Sequence, residues 1–270
     1  MNETAPKTEP TLVSVVMPAY RCAAFLPASV GSVRAQTRGD WELLLVDDCS
    51  PDDTWAVAQR LAGEDSRIRL FQTQTNAGPA AARNLGLENA RGKYVAFLDG
   101  DDLWLPEKLE RQTAFMERTG ARFSCTAYDR ISEDGKTVLG RVTPFAKADY
   151  NKVLYMANPV GNSTAMYDRE ALGELRVPPI RKRNDFALWL AALKKTDYVW
   201  GMPDCLGCYR VRENSVSSNK MELLRYQWQL YRHVEKLPLS RVALAFAGLC
   251  YIKLFHPTWR TANSSVEEPT

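Results

Sequence analysis

Short, continuously apolar runs alternate with stretches of helical periodicity over the first hundred residues. The runs at 13–17, 41–46 and 94–98 lack polar–apolar alternation, which predicts strands buried on both faces. One further strand and three helices are predicted at 67–73 and at 22–36, 53–62 and 76–90. This strand–helix order predicts right-handed crossovers and an α/β fold, with a mostly parallel, doubly wound sheet covered by helices on both faces.

The pattern is more mixed after residue 105. Helices are predicted at 106–119 and 185–193, strands at 122–131, 163–167, 198–200 and 206–211, and a hairpin turn at 133–136. Beyond residue 219, apolar residues recur at helical spacing in two more stretches, at Met221, Leu224, Trp228 and Tyr231 and at Leu239, Val242, Phe246 and Leu249. We therefore expect one main domain at 11–219, divided into halves 11–105 and 106–219. A helical extension is expected at 220–260, and disordered tails at 1–10 and 261–270.

The charge pattern singles out the helical extension. The chain has 35 basic and 32 acidic residues, but residues 220–260 hold seven bases and two acids, a local charge of +5. Two interpretations remain open: the extension binds an anionic membrane surface, or it packs on the main domain with its basic faces in water. The longest apolar run, 242–252, is shorter than the roughly 20 residues of a membrane span, so we expect no span.

Cysteine usage favours a reducing compartment. Six cysteines occur without a secretory leader, so we expect free thiols and a cytoplasmic protein, peripheral on the membrane if the first interpretation of the extension holds. Cys205 and Cys208 form a C-x-x-C, but there is no second pair and there are only two histidines. We interpret the two cysteines as small apolar residues in a strand rather than as zinc ligands.

Carboxylates cluster where two of the predicted strands end. Asp99, Asp101 and Asp102 follow one strand and Asp47-Asp48 follow another. Open parallel sheets bind ligands beyond the carboxyl ends of their strands, and oxygen ligands suit Mg²⁺ or Mn²⁺ bound to phosphates. An acidic turn with capping aspartates is the alternative reading. Motifs for a nucleotide triphosphate, a dinucleotide or a serine nucleophile are missing from the sequence.

Several segments resemble glycosyltransferase family 2. In chain order they are VSVVMPAY at 13–20, SVRAQT at 32–37, LVDDCS at 45–50, GPAAARN at 78–84 and YVAFLDGDD at 94–102. The later half resembles the bacterial cell-surface polysaccharide branch, including teichuronic-acid-type transferases, at 181–190 and 209–220. The resemblance implies a GT-A fold, a nucleotide-sugar donor, Mn²⁺ or Mg²⁺, and inversion at the anomeric carbon.

The resemblance also assigns roles around the donor. Pro18, Ala19 and Tyr20 should line the nucleobase pocket. Asp48 should accept a hydrogen bond from the base, typically uracil, with Asp47 as a helper. Asp99 and Asp101 occupy the D-x-D positions that hold the ribose and the metal-bound diphosphate, and Asp102 is a third candidate metal ligand. Three arginines are candidates to steady the diphosphate: Arg83, Arg210 and Arg212.

On the acceptor side, Asp185 matches the catalytic base, and Asn184 replaces the commoner Glu beside it. From position alone, Asp185 also reads as a carboxylate favoured by a helix N-terminus. The basic run 181–183 is either a solvated face or a contact for an acceptor phosphate. Trp189 and Trp200 are expected in the core. Tyr155 and Met156 are expected to line the acceptor side.

The sequence thus predicts an inverting, metal-dependent glycosyltransferase of bacterial surface polysaccharide synthesis. A UDP-sugar is the favoured donor, and the acceptor is a hydroxyl of a glycan or of a polyprenyl- or other lipid-linked molecule. A sugar-nucleotidyltransferase is one alternative, but it needs a glycine-rich loop after the first strand, and residues 18–26 contain no glycine. An inactive nucleotide-sugar-binding protein is another, and the intact aspartates argue against it. No nucleic-acid-binding module is recognisable.

Overall fold

The computed structural model describes residues 12–156, 160–212 and 220–255. The predicted tails 1–10 and 261–270, residues 256–260 and the polar loop 213–219 lie outside the described residues. Within the described part, strands form one sheet in the order β3-β2-β1-β4-β9-β6-β10-β5, with β7 on β6 and β8 on β10. The strands are β1 Val13–Ala19, β2 Trp41–Asp47, β3 Ile68–Gln72, β4 Tyr94–Phe97, β5 Leu103–Trp104, β6 Phe123–Ile131, β7 Val138–Val142, β8 Lys147–Ala148, β9 Met166–Asp168 and β10 Val199–Arg210.

Helices cover both faces of this sheet. They are α1 Leu26–Arg34, α2 Thr54–Glu64, α3 Pro79–Glu88, α4 Lys108–Thr119, α5 Tyr150–Met156, α6 Arg169–Leu172, α7 Asn184–Leu193, α8 Lys220–Gln229 and α9 Leu239–Phe255. A 3-10 turn lies at Asn162–Thr164, and a π-helical turn at Leu230–Val234 follows α8.

The first half of the chain, up to residue 105, contains the parallel part of the sheet. Strand β1 pairs in parallel with β2 and β4, and β2 with β3. Neighbouring residues of a strand enter opposite cores, as Val15 and Val16 do. Burial on both faces explains why these strands are mostly apolar. The buried Ser14 of β1 and Glu42 of β2 are exceptions, and Ser14 donates a hydrogen bond to the Glu42 carboxylate at 2.7 Å. The predicted helical cover on both faces is confirmed.

Beyond β4 the sheet is mixed. Strand β9 is antiparallel to both β4 and β6, whereas β10 is parallel to β6. The two short strands predicted at 198–200 and 206–211 are one strand, β10, whose pairing with β6 shifts register around Cys205. Cys205 and Cys208 lie in this strand and are free, as the sequence predicted.

Two expectations of local structure are corrected. The strand predicted from residue 163 begins at Met166, because Asn162–Thr164 form a 3-10 turn that precedes it. Helix α5 was not predicted. Of the two predicted core tryptophans, Trp189 is fully buried against Phe97 and Phe123, and Trp200 is half-buried against Phe115.

The C-terminal helices α8 and α9 pack on the main domain. A Cβ at Gly248 of α9 would lie 2.0 Å from the carbonyl oxygen of Tyr155 in α5, so only glycine permits this close approach of the two helices. Tyr231 is buried and donates a hydrogen bond to the carbonyl oxygen of Leu154 at 3.1 Å. Among the described residues, none of the helices combines the length and the apolar character needed to cross a bilayer.

Lys108, in the first turn of α4, is fully buried. Its Nζ lies 3.7 Å from the centroid of the Trp104 ring and has no hydrogen-bond partner among the described residues. Burial lowers the pKa of this amine well below its ordinary value, because a charge loses its hydration in the protein interior.

This burial predicts a pH-dependent stability. Between the lowered pKa and about 10.4, the unfolded chain binds a proton at Lys108 that the folded chain does not, so the free energy of unfolding should rise with pH in this window. Lys108→Met should raise the free energy of unfolding at pH 7 by about 1–3 kcal/mol and flatten the pH dependence. Urea unfolding at pH 7 and pH 9, with the exposed Lys136→Met as control, measures both effects. A destabilised Lys108→Met would mean that a charged ammonium on Trp104 stabilises the fold.

Candidate active site

The ends of three parallel strands meet at one edge of the sheet. Ala19 at the end of β1 is in register with Asp47 at the end of β2, and Asp99 is the second residue after β4. A Cβ at Gly100 would lie 3.0 Å from Sγ of Cys22 and 3.3 Å from the carbonyl oxygen of Pro18. The acidic turn after β4 is therefore packed against the end of β1, and the small size of Gly100 makes this possible.

Asp48 organises the loop after β3. It is buried, and its carboxylate accepts hydrogen bonds from Thr73 Oγ1 at 2.9 Å and from the backbone nitrogens of Ala77 and Gly78 at 3.1 and 2.7 Å. These bonds fix the entrance to α3 beside the strand ends. Since an ionised carboxylate offers about four acceptor positions, one remains for a ligand donor.

Asp47 is held more tightly within the protein. Its side chain is fully buried and accepts hydrogen bonds from the backbone and hydroxyl of Ser50 and from Gln72 Nε2 at 3.0 Å. The structure therefore gives Asp47 a role in shaping the turn after β2.

The three residues expected to line a nucleobase pocket differ in exposure. Ala19 is buried, Pro18 is half-buried, and Tyr20 exposes its ring at the edge of the sheet. Next to them, Arg21 has a φ of 49°, and Cys49 after β2 has a φ of 54°. Left-handed backbone at non-glycine residues is strained and is often found at functional sites.

Each aspartate of the turn after β4 has different partners. Asp99 is half-buried and accepts hydrogen bonds from Arg83 Nη2 and Asn162 Nδ2, both at 2.8 Å. Asp101 is half-buried and pairs with Arg212 at 3.0 Å.

Asp102 points into the protein. It is buried, and it accepts hydrogen bonds from the hydroxyl of Ser163 and from the backbone nitrogen of Arg210, the latter at 2.9 Å. Both carboxylate oxygens therefore bind β10 and the 3-10 turn.

The electrostatics of this turn reflect crowded negative charge. Burial raises the pKa of Asp99, the charges of Asp101 and Asp185 raise it further, and Arg83 opposes the rise. Burial raises the pKa of Asp102 well above its ordinary value, and the charges of Asp101 and Asp99 add to this. A bound cation would relieve this repulsion.

Arg83 connects the acidic turn with the helix that carries Asp185. Its buried guanidinium donates to Asp99 through Nη2 and to Oδ1 of Asn184 through Nη1. Asp185 is half-buried in the first turn of α7, and its charge acts on Asp99. Two segments far apart in sequence thus share one site. Arg183, just before α7, has a φ of 62°, the third strained residue at this edge.

The other basic candidates divide into two groups. Arg210 is buried and donates to the carbonyl oxygens of Asp101 and Glu133 at 2.8 and 2.7 Å, so its guanidinium serves the protein backbone. Arg212 is half-buried, lies over the ring of Phe25 and reaches the carboxylate of Asp101. Of these two arginines, it is Arg212 whose guanidinium pairs with a carboxylate of the acidic turn.

The residues of the basic run 181–183 before α7 also have different partners. The side chain of Arg181 lies beside Gly78 at the start of α3, since a Cβ at Gly78 would be 3.9 Å from Cγ of Arg181. Lys182 forms an ion pair with Glu222 of α8 at 2.6 Å. Of the residues expected on the acceptor side, Tyr155 is half-buried and Met156 is exposed.

The carboxylates fit a cation shared with a phosphate ligand rather than a closed protein site. In the part of the chain that the structure describes, no three acidic, histidine or cysteine side chains are arranged to hold a metal. Mg²⁺ and Mn²⁺ are commonly held by one or two carboxylates plus substrate phosphates. Asp101 and Asp99 supply such hard oxygen ligands.

Two residues of the site were not singled out in the sequence: Asn162 binds Asp99, and Ser163 binds Asp102. The sequence marked Asn184 only as the neighbour of Asp185, and the structure shows that it binds Arg83. The polar triplet at 162–164, directly ahead of an apolar stretch, is the one local signal that could have indicated Asn162 and Ser163. Their partners lie more than sixty residues away.

Comparison with known proteins identifies the family. The family model described as glycosyl transferase family 2 matches residues 14–176. A protein named as a teichuronic acid biosynthesis glycosyltransferase from Bacillus subtilis is 39% identical over 87% of this chain and 93% of its own length. An Escherichia coli protein named UDP-Glc:alpha-D-GlcNAc-diphosphoundecaprenol beta-1,3-glucosyltransferase is 35% identical over 86% of this chain and 89% of its own.

Solved structures share the fold. Residues 1–349 of TarS from Staphylococcus aureus, in complex with UDP-GlcNAc, have a TM-score of 0.68 and 19% identity, covering 90% of this chain and 73% of that fragment. A mannosyltransferase from Pyrobaculum calidifontis in complex with GDP-Man and Mn²⁺ has a TM-score of 0.58 and 17% identity, covering 94% of this chain and 78% of its own.

The resemblance seen in the sequence motifs, the predicted fold class and the predicted enzyme class are all confirmed by these matches. They also set aside the sugar-nucleotidyltransferase alternative. The chain belongs to glycosyl transferase family 2, has the GT-A fold and is a glycosyltransferase with relatives in bacterial polysaccharide biosynthesis.

Proposed function

We propose that this protein transfers a sugar from a UDP-sugar, with inversion, to a hydroxyl of a lipid-diphosphate-linked glycan in bacterial surface polysaccharide synthesis. One observation carries the proposal. Arg83 binds both Asp99 of the acidic turn and Asn184 beside Asp185, so a carboxylate suited to act as a base stands next to a turn suited to a diphosphate. The names of the relatives support the type of donor and acceptor.

The donor occupies the edge where β1, β2 and β4 end. Tyr20 offers an exposed ring for the uracil to stack on, and Asp48 accepts a hydrogen bond from the base at its remaining acceptor position. Asp99 binds the ribose side of the nucleotide. The UDP-GlcNAc complex of TarS, which shares the fold, supports a uridine nucleotide here.

The diphosphate lies over Asp101, with Asp99 beside it. Asp101 and Asp99 would hold a divalent cation there, and this cation would supply positive charge to the leaving nucleoside diphosphate. The Mn²⁺ complex of the Pyrobaculum mannosyltransferase supports this cofactor. Arg212, which pairs with Asp101, would turn to the diphosphate, whereas Arg210 and Asp102 hold β10 against the turn.

Asp185 is the proposed general base. As the acceptor hydroxyl oxygen forms its bond to the anomeric carbon, Asp185 takes the hydroxyl proton. The bond between that carbon and the diphosphate oxygen breaks on the opposite face, and the electron pair leaves with UDP. A single in-line displacement of this kind inverts the anomeric carbon and needs no covalent enzyme intermediate.

The acceptor side points to a membrane. The E. coli relative is named for an acceptor carried on diphosphoundecaprenol, a lipid, and the proposal extends this class of acceptor to the present chain. Such an acceptor requires the enzyme to work at a bilayer surface. We therefore include peripheral contact of residues 220–260 with the inner face of the cytoplasmic membrane, in a compartment that keeps the six cysteines reduced.

Asp185→Asn tests the base directly. The substitution keeps the shape of the side chain and removes its basicity, so transfer should fall by about 10²–10⁴-fold while UDP affinity is unchanged. The measurements are the transfer rate onto a lipid-diphosphate-linked acceptor and UDP binding by calorimetry. Asp197→Asn, at an exposed residue of the same type, is the matched control. A variant with near-normal transfer would remove Asp185 from this role.

Asp101→Asn tests the diphosphate site. Wild-type protein should bind UDP in the presence of Mn²⁺ and lose most of this affinity in EDTA, and Asp101→Asn should weaken UDP binding with Mn²⁺ by about tenfold or more. Calorimetry with UDP and with GDP, again with Asp197→Asn as control, makes the measurement. Equal affinity for GDP would contradict the uridine donor, and binding of neither nucleotide would contradict the proposed function as a whole.

A further inference from the structure

The outer face of α9 is apolar between Leu239 and Tyr251. Leu239, Leu244 and Tyr251 are 62%, 58% and 52% exposed. The other residues of this face are Ala243, Ala247 and Cys250, also exposed, with Ser240 as the polar exception. A helix that is apolar on all sides is normally buried on all sides.

The position of α9 keeps this face turned outward. Its inner residues Val242 and Ala245 are buried in the core, and the close approach of Gly248 to Tyr155 holds the helix against α5. Because the inner side is already packed, the exposed side chains cannot be covered by a small rotation of α9 without breaking this contact.

Helix α8 adds a second exposed row. Met221, Leu224 and Trp228 recur at helical spacing and are all exposed. The sequence grouped them with Tyr231, but Tyr231 lies in the π-helical turn and faces the core. The ring of Trp228 stacks on Phe246 of α9 at 6.4 Å between centroids, which joins the two rows. We call these two rows together the apolar surface.

Positive charge surrounds the apolar surface. Arg225, Lys236 and Arg241 are exposed. The two acids of the segment are instead committed to the catalytic domain: Glu222 pairs with Lys182 at 2.6 Å, and Glu235 pairs with Lys194 at 2.7 Å. The Glu235 carboxylate is only 2% exposed and also accepts a hydrogen bond from Tyr150. The outward side of the segment is therefore apolar with a basic rim.

We propose that the apolar surface, formed by the outer faces of α8 and α9, docks on an anionic lipid bilayer and lies in its interface. Leucine, methionine, tryptophan and tyrosine side chains enter the headgroup boundary, while Arg225, Lys236 and Arg241 contact lipid phosphates. A second copy of the chain is disfavoured as the occupant, because it would bring two identical basic rims together. These residues form the membrane contact that the proposed function includes. The docking rests on the proposed function for its biological purpose and not for its structural basis.

A direct contact connects the docking surface with the active site. Lys182, through its ion pair with Glu222, ties the start of α8 to the loop just before Asp185. The helix that carries part of the docking surface is therefore linked to the loop that precedes the proposed base.

Vesicle flotation of the full chain tests the docking without any substrate. Wild-type protein should bind vesicles that contain phosphatidylglycerol, bind phosphatidylcholine vesicles much more weakly, and lose the anionic preference as salt is raised. Leu239→Glu with Leu244→Glu should lower binding to the anionic vesicles by about tenfold or more, since two apolar side chains no longer enter the interface. Leu139→Glu, at an equally apolar exposed residue of β7, is the control and should bind like wild type.

Three outcomes would overturn the docking. These are no binding of wild type to anionic vesicles, unchanged binding by the double variant, or a dimer that the double variant dissociates without any vesicle binding. Thermal unfolding shows that the double variant is folded, and Mn²⁺-dependent UDP binding, which does not involve α8 or α9, should stay at the wild-type level. Vesicle binding without UDP binding would contradict the proposed function and leave the docking surface supported.

Discussion

The balance of charge at the end of β4 is the constraint on which the site depends. Asp99, Asp101 and Asp102 occupy four consecutive positions with Gly100, and burial and mutual repulsion raise the pKa of Asp99 and of Asp102. Arginines from distant segments offset this charge: Arg83 comes from α3, and Arg212 follows β10. The negative charge that suits a cation also pairs with the arginines that bring these segments onto one turn.

Arg83 links two separate parts of the site. One buried guanidinium binds both the acidic turn and the residue before Asp185, so the edge of the sheet and the start of α7 are connected directly. In this chain the second partner is Asn184, a neutral amide, so Arg83 keeps its charge for Asp99. The two halves of the sheet, which join where β9 pairs antiparallel with β4, are thereby connected a second time at the site.

The charges of the C-terminal helices are also divided between paired and exposed groups. Their acids pair with lysines of the catalytic domain, and their exposed bases remain in solvent around an apolar surface. Both interpretations left open by the sequence describe part of the structure, since the helices pack on the domain and still present an apolar face. The loop at residues 181–183 connects the site of the proposed reaction with the helices of the proposed lipid contact, because Lys182 pairs with Glu222 of α8.

The sequence by itself determined the strands of the parallel half and the residues at their ends. Strands buried on both faces are mostly apolar, and parallel strands must end at a common edge, so Asp48, Asp99 and Asp101 could be assigned to that edge before any coordinates. Only the tertiary structure decided which polar groups meet there. Asn184 lies 101 residues from Arg83, and Asn162 and Ser163 lie far from the aspartates they bind, so no local pattern records these contacts. Likewise, helical spacing marked the apolar residues of α8 and α9, but which of them are covered depends on how closely Gly248 lets α9 approach α5. Local patterns report the burial a residue requires, whereas a contact between distant segments exists only when the packed elements bring the two side chains together.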